Sequence, residues 1–150
     1  MRISAKADYA VRAAIGLALV DGPAKAEHVA QRHAIPLKFL EKILFDLRHA
    51  GLVATRRGPE GGYWLAKDPA EITVADILRA VDGPLADVHG LAPEDVEYEE
   101  GFAVLQKVWI AVRTNLRSVL EAITIADLAV GTLPPEVDQL TTATESWARR

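Results

Sequence analysis

The stretch IPLKFLEKILFDLRHAGLVATRRGPEGGYWLA, residues 35–66, changes its hydrophobic period midway, and that change decides the fold. Ile35-Pro36 makes a turn, and proline suits the first turn of a helix, where its missing N–H has no partner to lose. Leu37, Leu40, Ile43, Leu44 and Leu47 then fall on one apolar stripe at helical spacing. The other face carries Lys38, Phe39, Glu41, Lys42, Phe45, Asp46, Arg48 and His49, and Gly51 ends the helix. Residues 52–56 and 62–66 instead read as two short strands around Arg57-Gly58-Pro59-Glu60-Gly61. The glycines and proline there suit a hairpin with a positive-φ tip.

Working outward, Ser4 is an N-cap ahead of a helix in which Tyr9, Ala10, Ala13, Ala14, Leu17 and Ala18 recur at helical spacing. Asp21-Gly22-Pro23 stops it, and a short second helix fits residues 26–33 with Val29 and Ala30 inward. Three helices and a β-hairpin, the second and third helices joined by a tight turn, make a winged helix-turn-helix head over residues 1–66. The chain is therefore mainly α with a small β-hairpin wing.

Beyond the head, Thr73-Val74-Ala75-Asp76 is a capping box opening a helix through Ile77, Leu78 and Val81, stopped by Gly83-Pro84. Residues 85–101 read mostly as loop, with an acidic cluster over 94–100, so that 67–101 is one helix and an acidic loop. Phe102, Leu105, Trp109, Val112, Leu116, Val119 and Ile123 then alternate spacings of three and four, a heptad seam. The helix should run roughly 30 Å at about 1.5 Å per residue. It packs either on its own head or on a second copy, and a long helix beyond a small DNA-reading head favours the copy. Thr124-Ile125-Ala126-Asp127 echoes the capping motif at Thr73. The echo reflects shared capping chemistry rather than a domain repeat, and a short helix should complete residues 102–133. Residues 134–150 are expected to form a flexible tail.

The 150 residues hold 17 basic and 21 acidic side chains, net −4. That average hides an asymmetry: residues 1–62 sum to +4, 63–100 to −8 and 101–150 to 0. A basic head is joined through an acidic stretch to a neutral remainder. With no cysteine, disulfides, thiolate nucleophiles and all-cysteine clusters are excluded. No stretch reaches the ~20 apolar residues a membrane helix needs; residues 10–20 are interrupted by Arg12. A cytoplasmic protein without a membrane anchor is expected. His28, His33, His49 and His89 lack metal-ligand spacing, His28 and His33 reading as surface residues, and only His89, near Glu94 and Asp95, is a candidate ligand. Without a Ser/His/Asp set, thiol, phosphate loop or paired acid and base, the chain does not read as an enzyme.

Met1-Arg2-Ile3-Ser4, Asp8-Tyr9-Ala10-Val11-Arg12-Ala13, Ile35 through Leu44, Gly51-Leu52-Val53 and Arg57-Gly58-Pro59-Glu60-Gly61-Gly62-Tyr63 together resemble the Rrf-two family of bacterial regulators, the IscR/NsrR/CymR group. The likeness continues through Leu65-Ala66, Ile72-Thr73-Val74, Val81-Asp82-Gly83, Trp109, Leu116, Leu120 and Ile123 to Leu128, covering about 130 positions. It implies a homodimeric winged-helix transcription factor, usually a repressor, often sensing iron–sulfur status, nitric oxide or redox state. Family members that carry a cluster place cysteines in the loop before the long helix, and residues 85–101 have none. A variant ligation using an acid and a histidine in the first helix also fails, since position 12 is Arg12 and no cysteine is available. No iron–sulfur cluster is expected. The effector, whether an unidentified small molecule or a partner protein, is left open. Ala34 stands where the family commonly has a glycine before the recognition turn.

DNA binding needs phosphate neutralisation to hold and base-edge contacts to discriminate. Lys38, Lys42 and Arg48 can meet phosphates or guanine edges. Glu41 either accepts from a cytosine amino group or pairs with Lys38 or Lys42. Phe39 either touches a thymine methyl or is buried in the head. Arg57, next to Gly58 and near Gly61, which let the backbone approach closely, suits a narrow minor groove, and Arg56 suits phosphate. Trp64 and Trp109 read as core or interface, with a pocket beneath the loop as a second role for Trp109. The seam from Phe102 to Ile123 is the expected dimer interface. The leading reading is a sequence-specific regulator acting as a homodimer on a pseudo-palindromic operator in double-stranded DNA. The alternative is a winged-helix protein-interaction module, or a regulator controlled by a partner protein.

Overall fold

A computed structural model describes residues 2–148. Helix α1 spans Ala5–Ala18, and the Ser4 hydroxyl accepts the Ala7 N–H at 2.9 Å, satisfying one of its free N-terminal donors. Its alanines 7, 10, 13 and 14 are buried, which lets neighbouring helices approach closely. Helix α2 spans Ala26–Arg32 and α3 spans Leu37–His49. In α3 the stripe Leu40, Ile43, Leu44 and Leu47 is fully buried, each residue contributing roughly 1.5–3 kcal/mol by leaving water. Leu37, the first residue of that stripe, stays 37% exposed because the helix begins beyond the edge of the core.

Both ends of the recognition turn and helix close alike. After α3, Gly51 (φ +73°) lets its own N–H reach the Arg48 carbonyl and the Leu52 N–H reach the Leu47 carbonyl. After α2, the Ala34 and Ile35 N–H groups reach the Gln31 and Ala30 carbonyls. These are two Schellman motifs, but the second places an alanine at φ +50°. The turn geometry that a glycine would favour is thus adopted by Ala34.

Strands β1 (Val53–Arg56) and β2 (Gly62–Leu65) form the antiparallel hairpin, Val53 facing Leu65 and Arg56 facing Gly62. The strands are one residue shorter than expected at one end each, although the Ala66 N–H still donates to the Leu52 carbonyl. Ala24 exchanges two backbone hydrogen bonds with Tyr63, 2.9 and 2.8 Å, fastening the hairpin to the α1–α2 loop. Gly62 permits this: a Cβ there would stand 2.6 Å from the Ala24 carbonyl oxygen.

Helix α4 (Val74–Asp82) and helix α6 (Ile125–Val130) each open on a complete capping box, Thr73 with Asp76 and Thr124 with Asp127. The two caps are also joined: Thr73 and Thr124 form an antiparallel bridge, with Val74 N–H donating to Ile123 and Ile125 N–H to Ile72. The echoed motifs are therefore partners in space, a relation the shared capping chemistry does not reveal. Ile72, Ile77, Val81 and Ile125 join the same core as α1 and α3. The division at residue 66 is thus one of motif and not of packing.

Helix α5 spans Val104–Leu120, about 26 Å at 1.5 Å per residue and shorter than the seam suggested. Phe102 lies before it, in the 3-10 turn Glu100–Phe102, and Ile123 lies after it, buried with Val74 and Val137. Beyond the helix, the Ile123 carbonyl accepts from the Val74 N–H at the start of α4. The expected flexible tail instead carries helix α7 (Pro135–Thr142), anchored by the buried Val137, and a further turn at Thr144–Trp147; Arg149 and Arg150 lie outside the described residues. Among the described residues no helix is long and apolar enough to cross a membrane.

Candidate nucleic-acid interface

On the outer face of α3, Lys38, Glu41, Lys42 and Arg48 are exposed. Glu41 makes no ion pair with Lys38 or Lys42 among the described residues, so its carboxylate is free to accept from outside. Phe39 is 52% exposed and meets Tyr9 of α1 edge-on at 6.1 Å, which overturns its burial in the head. Phe45 (59% exposed) packs against the His49 ring at 4.9 Å. Lys38, Lys42, Phe45 and His49 are spaced i, i+4, i+7 and i+11, one straight line along the helix. The sequence placed Phe45 and His49 on this face but not among the site residues; their spacing was the signal.

Three basic residues set the frame behind this surface. Lys6 lies 2.7 Å from the Asp46 carboxylate of α3 and donates to the Val81 carbonyl at 2.5 Å, tying α1 to α3 and α4. Arg12 donates to the His33 carbonyl in the recognition turn, lies 3.4 Å from Asp8, and sits over the Tyr9 ring at 5.4 Å. Lys25 donates to the Gly58 carbonyl at 2.6 Å, holding the hairpin tip. His33 is half-buried rather than a surface residue, its ring lying where a Cβ on Gly16 would come within 2.5 Å of Nε2. Burial, then Arg32 and Arg12, push the His33 pKa down.

In the wing, Arg57 is exposed, with no ion pair among the described residues, beside Gly58 at φ +106°. Gly61 cannot carry a side chain, because a Cβ would overlap the Arg56 carbonyl. Arg56 folds back within the wing, its Nη2 donating to the Glu60 carbonyl at 3.2 Å while the residue stays exposed. The hairpin thus presents one uncommitted guanidinium at its tip. Trp64 is half-buried on β2.

The acidic loop is held to α5. Gln106 donates to the Glu94 and Val96 carbonyls at 3.0 and 3.2 Å, Trp109 Nε1 donates to the Tyr98 hydroxyl at 3.0 Å, and Glu94 pairs with Arg113 at 2.5 Å. Beneath it lies a cavity of about 380 Å³ lined by Arg2, Asp82, Leu85, Val88, Trp109 and Leu116. His89 is exposed at φ +54°. Among the described residues no three His, Asp or Glu side chains gather as for a metal, and a chain without cysteine offers no thiolate. The donors present do not fit an iron–sulfur cluster. No residue of α5 is buried: Val104, Val108, Trp109 and Val112 are exposed, and Leu105, Leu116 and Val119 are half-buried.

Residues 3–131 match the family Rrf2, described as an iron-dependent transcriptional regulator. An HTH-type transcriptional regulator of Mycobacterium tuberculosis is 47% identical over 93% of this chain and 88% of its own. The HTH-type regulator CymR of Bacillus subtilis is 36% identical over 86% and 90%. Among solved structures, CymR, the global cysteine regulator of B. subtilis, superposes with a TM-score of 0.71 at 36% identity, covering 88% of this chain and 98% of that one. IscR of T. potens gives 0.68 at 31% identity, covering 96% and 93%.

Proposed function

The chain belongs to the Rrf2 family of transcriptional regulators, and from that premise we propose that it represses or activates transcription as a homodimer on a pseudo-palindromic operator, without an iron–sulfur cluster. One observation carries the DNA assignment: the Lys38–Glu41–Lys42 surface of α3 and the wing guanidinium of Arg57 are both exposed and without ion pairs among the described residues. Basic residues on α3 settle on phosphate, Glu41 reads a cytosine amino group, Phe39 meets a thymine methyl, and Arg57 enters the adjacent minor groove. Gly58 and Gly61 keep the tip narrow enough for that approach, and Arg56 and Arg48 flank it toward phosphate.

The second copy covers α5. A helix of 17 residues with no buried side chain and with Val104, Val108 and Val112 in solvent needs another apolar face. Leu105, Trp109, Leu116 and Val119 edge the same contact. Pairing through α5 sets two heads on successive major grooves, about 34 Å apart.

Fluorescence anisotropy with duplex DNA from the chain's own upstream region, across a salt series, tests the reading, and native mass spectrometry reports the dimer. Sequence-selective binding with a steep salt dependence is expected. Exposed Phe39 and Phe45 also suit a protein groove, and the absence of duplex binding at low salt would favour that second reading.

A further inference from the structure

We propose that the cleft between α4, α5 and the acidic loop binds a small polycarboxylate through Arg79, Arg113 and Arg117, with Glu94 as the chain's own carboxylate filling that place in the absence of ligand. The three arginines line one cavity of about 260 Å³ together with Pro84, Leu85 and Glu94. That volume lies just under the roughly 300–1,000 Å³ of drug-sized pockets, which suits a small metabolite.

Three carboxylates meet the three guanidiniums. Glu121 serves both Arg79 and Arg117, the latter at 3.0 Å, and Glu94 serves Arg113. Asp76 stands 3.9 Å from Arg79 through Oδ1, while its Oδ2 serves Thr73 in the capping box. Of these three planar forks, each able to take a carboxylate in two hydrogen bonds, Arg113 is the one whose carboxylate is borne by the loop. Arg113 holds the Glu94 carboxyl below its ordinary range, so that group is an anion whenever the regulator works.

Glu94 differs from Glu121 in how it is carried. Glu121 caps α5, whereas Glu94 sits on the short turn Pro93–Asp95 of the loop. An incoming carboxylate can replace it without leaving Arg113 unpaired, since one ion pair is exchanged for another. The displaced segment also carries the Gln106 contacts and lies next to the Tyr98–Trp109 hydrogen bond. Arg113 and Arg117 lie about 140–180° round the helix from Val104 and Val108, while Trp109, at the edge of the proposed contact, is one turn from Arg113 on the same side.

The site rests on the regulator reading only for its output; binding itself is measured without DNA, so failure here leaves the operator result untouched. Isothermal calorimetry on the full chain uses citrate and succinate as probes and inorganic phosphate as the competing chemistry. Citrate is expected to bind, Glu94→Gln to tighten it about tenfold by removing the internal competitor, and Arg113→Ala to weaken it at least about tenfold, the scale of a charge-assisted hydrogen-bond pair. Trp109 emission should shift with citrate and not with phosphate. No heat from either carboxylate up to about 10 mM on wild type and Glu94→Gln overturns the proposal. So does undiminished affinity in Arg113→Ala, or phosphate binding more tightly than citrate. If Arg113→Ala does not fold, the comparison of Glu94→Gln with wild type decides alone.

Discussion

Ala34→Gly should make the protein more stable although it removes a methyl group. Ala34 holds φ +50° in the turn between α2 and α3, where its own N–H and that of Ile35 close the end of α2. An L-residue pays about 1–2 kcal/mol for the left-handed conformation, because Cβ crowds the following carbonyl. Glycine removes that cost but loses roughly 0.4–1 kcal/mol through its freer unfolded chain. Ala34 is exposed, so no packing is forfeited. The net gain is about 0.5–1 kcal/mol, or roughly 1–4 °C in Tm for a chain of this size. Urea and thermal unfolding at one fixed protein concentration measure it, since any self-association makes apparent stability depend on concentration. Ala34→Val, β-branched at the same φ, should lose more than about 1 kcal/mol. DNA affinity should stay within about twofold for glycine, because the backbone it favours is the one already present. A glycine variant no more stable than wild type would refute the strain assignment, whatever valine does.

Three further outcomes follow from the same geometry. Arg57→Ala should weaken operator binding and lower the slope of log affinity against log salt by about one phosphate-equivalent; unchanged affinity at moderate salt would remove the wing from the interface. Glu41→Ala should cost about 1–3 kcal/mol of discrimination at one base pair while leaving binding to scrambled duplex unchanged; equal losses on both would return Glu41 to a role in local charge pairing. His33 has its folded pKa below the ordinary value, so the native state favours neutral imidazole. Its stabilisation is complete above the ordinary histidine pKa and is lost as pH falls from there toward the folded value. His33→Gln should flatten the stability–pH slope across that window, and an unchanged slope would mean that the ring is not held neutral.

What the sequence made legible was local. Ser4, Gly51, Thr73 and Thr124 announce helix ends because capping chemistry is confined to four residues, and each does its expected work. The buried stripe of α3 follows from its spacing alone. What remained hidden depends on partners distant along the chain. No local signal tells that Thr73 bridges Thr124, that Ala24 pairs with Tyr63, or that Arg12 reaches the His33 carbonyl. Periodicity runs the seam through Phe102 and Ile123 because it does not sense where a helix stops. Here Ile123 instead lies past the end of α5, where its carbonyl accepts from Val74. Val137 likewise finds its place against Val74 and Ile123 only after that bridge has formed.

The same distinction explains why the two outward-looking surfaces are patterned in sequence yet unsatisfied in the single chain. Residues whose partners lie within the chain are buried or paired: Lys6 with Asp46, Arg113 with Glu94, Arg79 and Arg117 with Glu121. Glu41 and Arg57 have no ion-pair partners among the described residues, and the valines of α5 lie in solvent. The net charge of −4 divides along this line. Much of the acidity lies on a loop that α5 draws in through Arg113, while the positive charge of the head stays on α3 and the wing. An acidic chain can therefore approach DNA, because what the duplex meets is the exposed basic surface and not the sum.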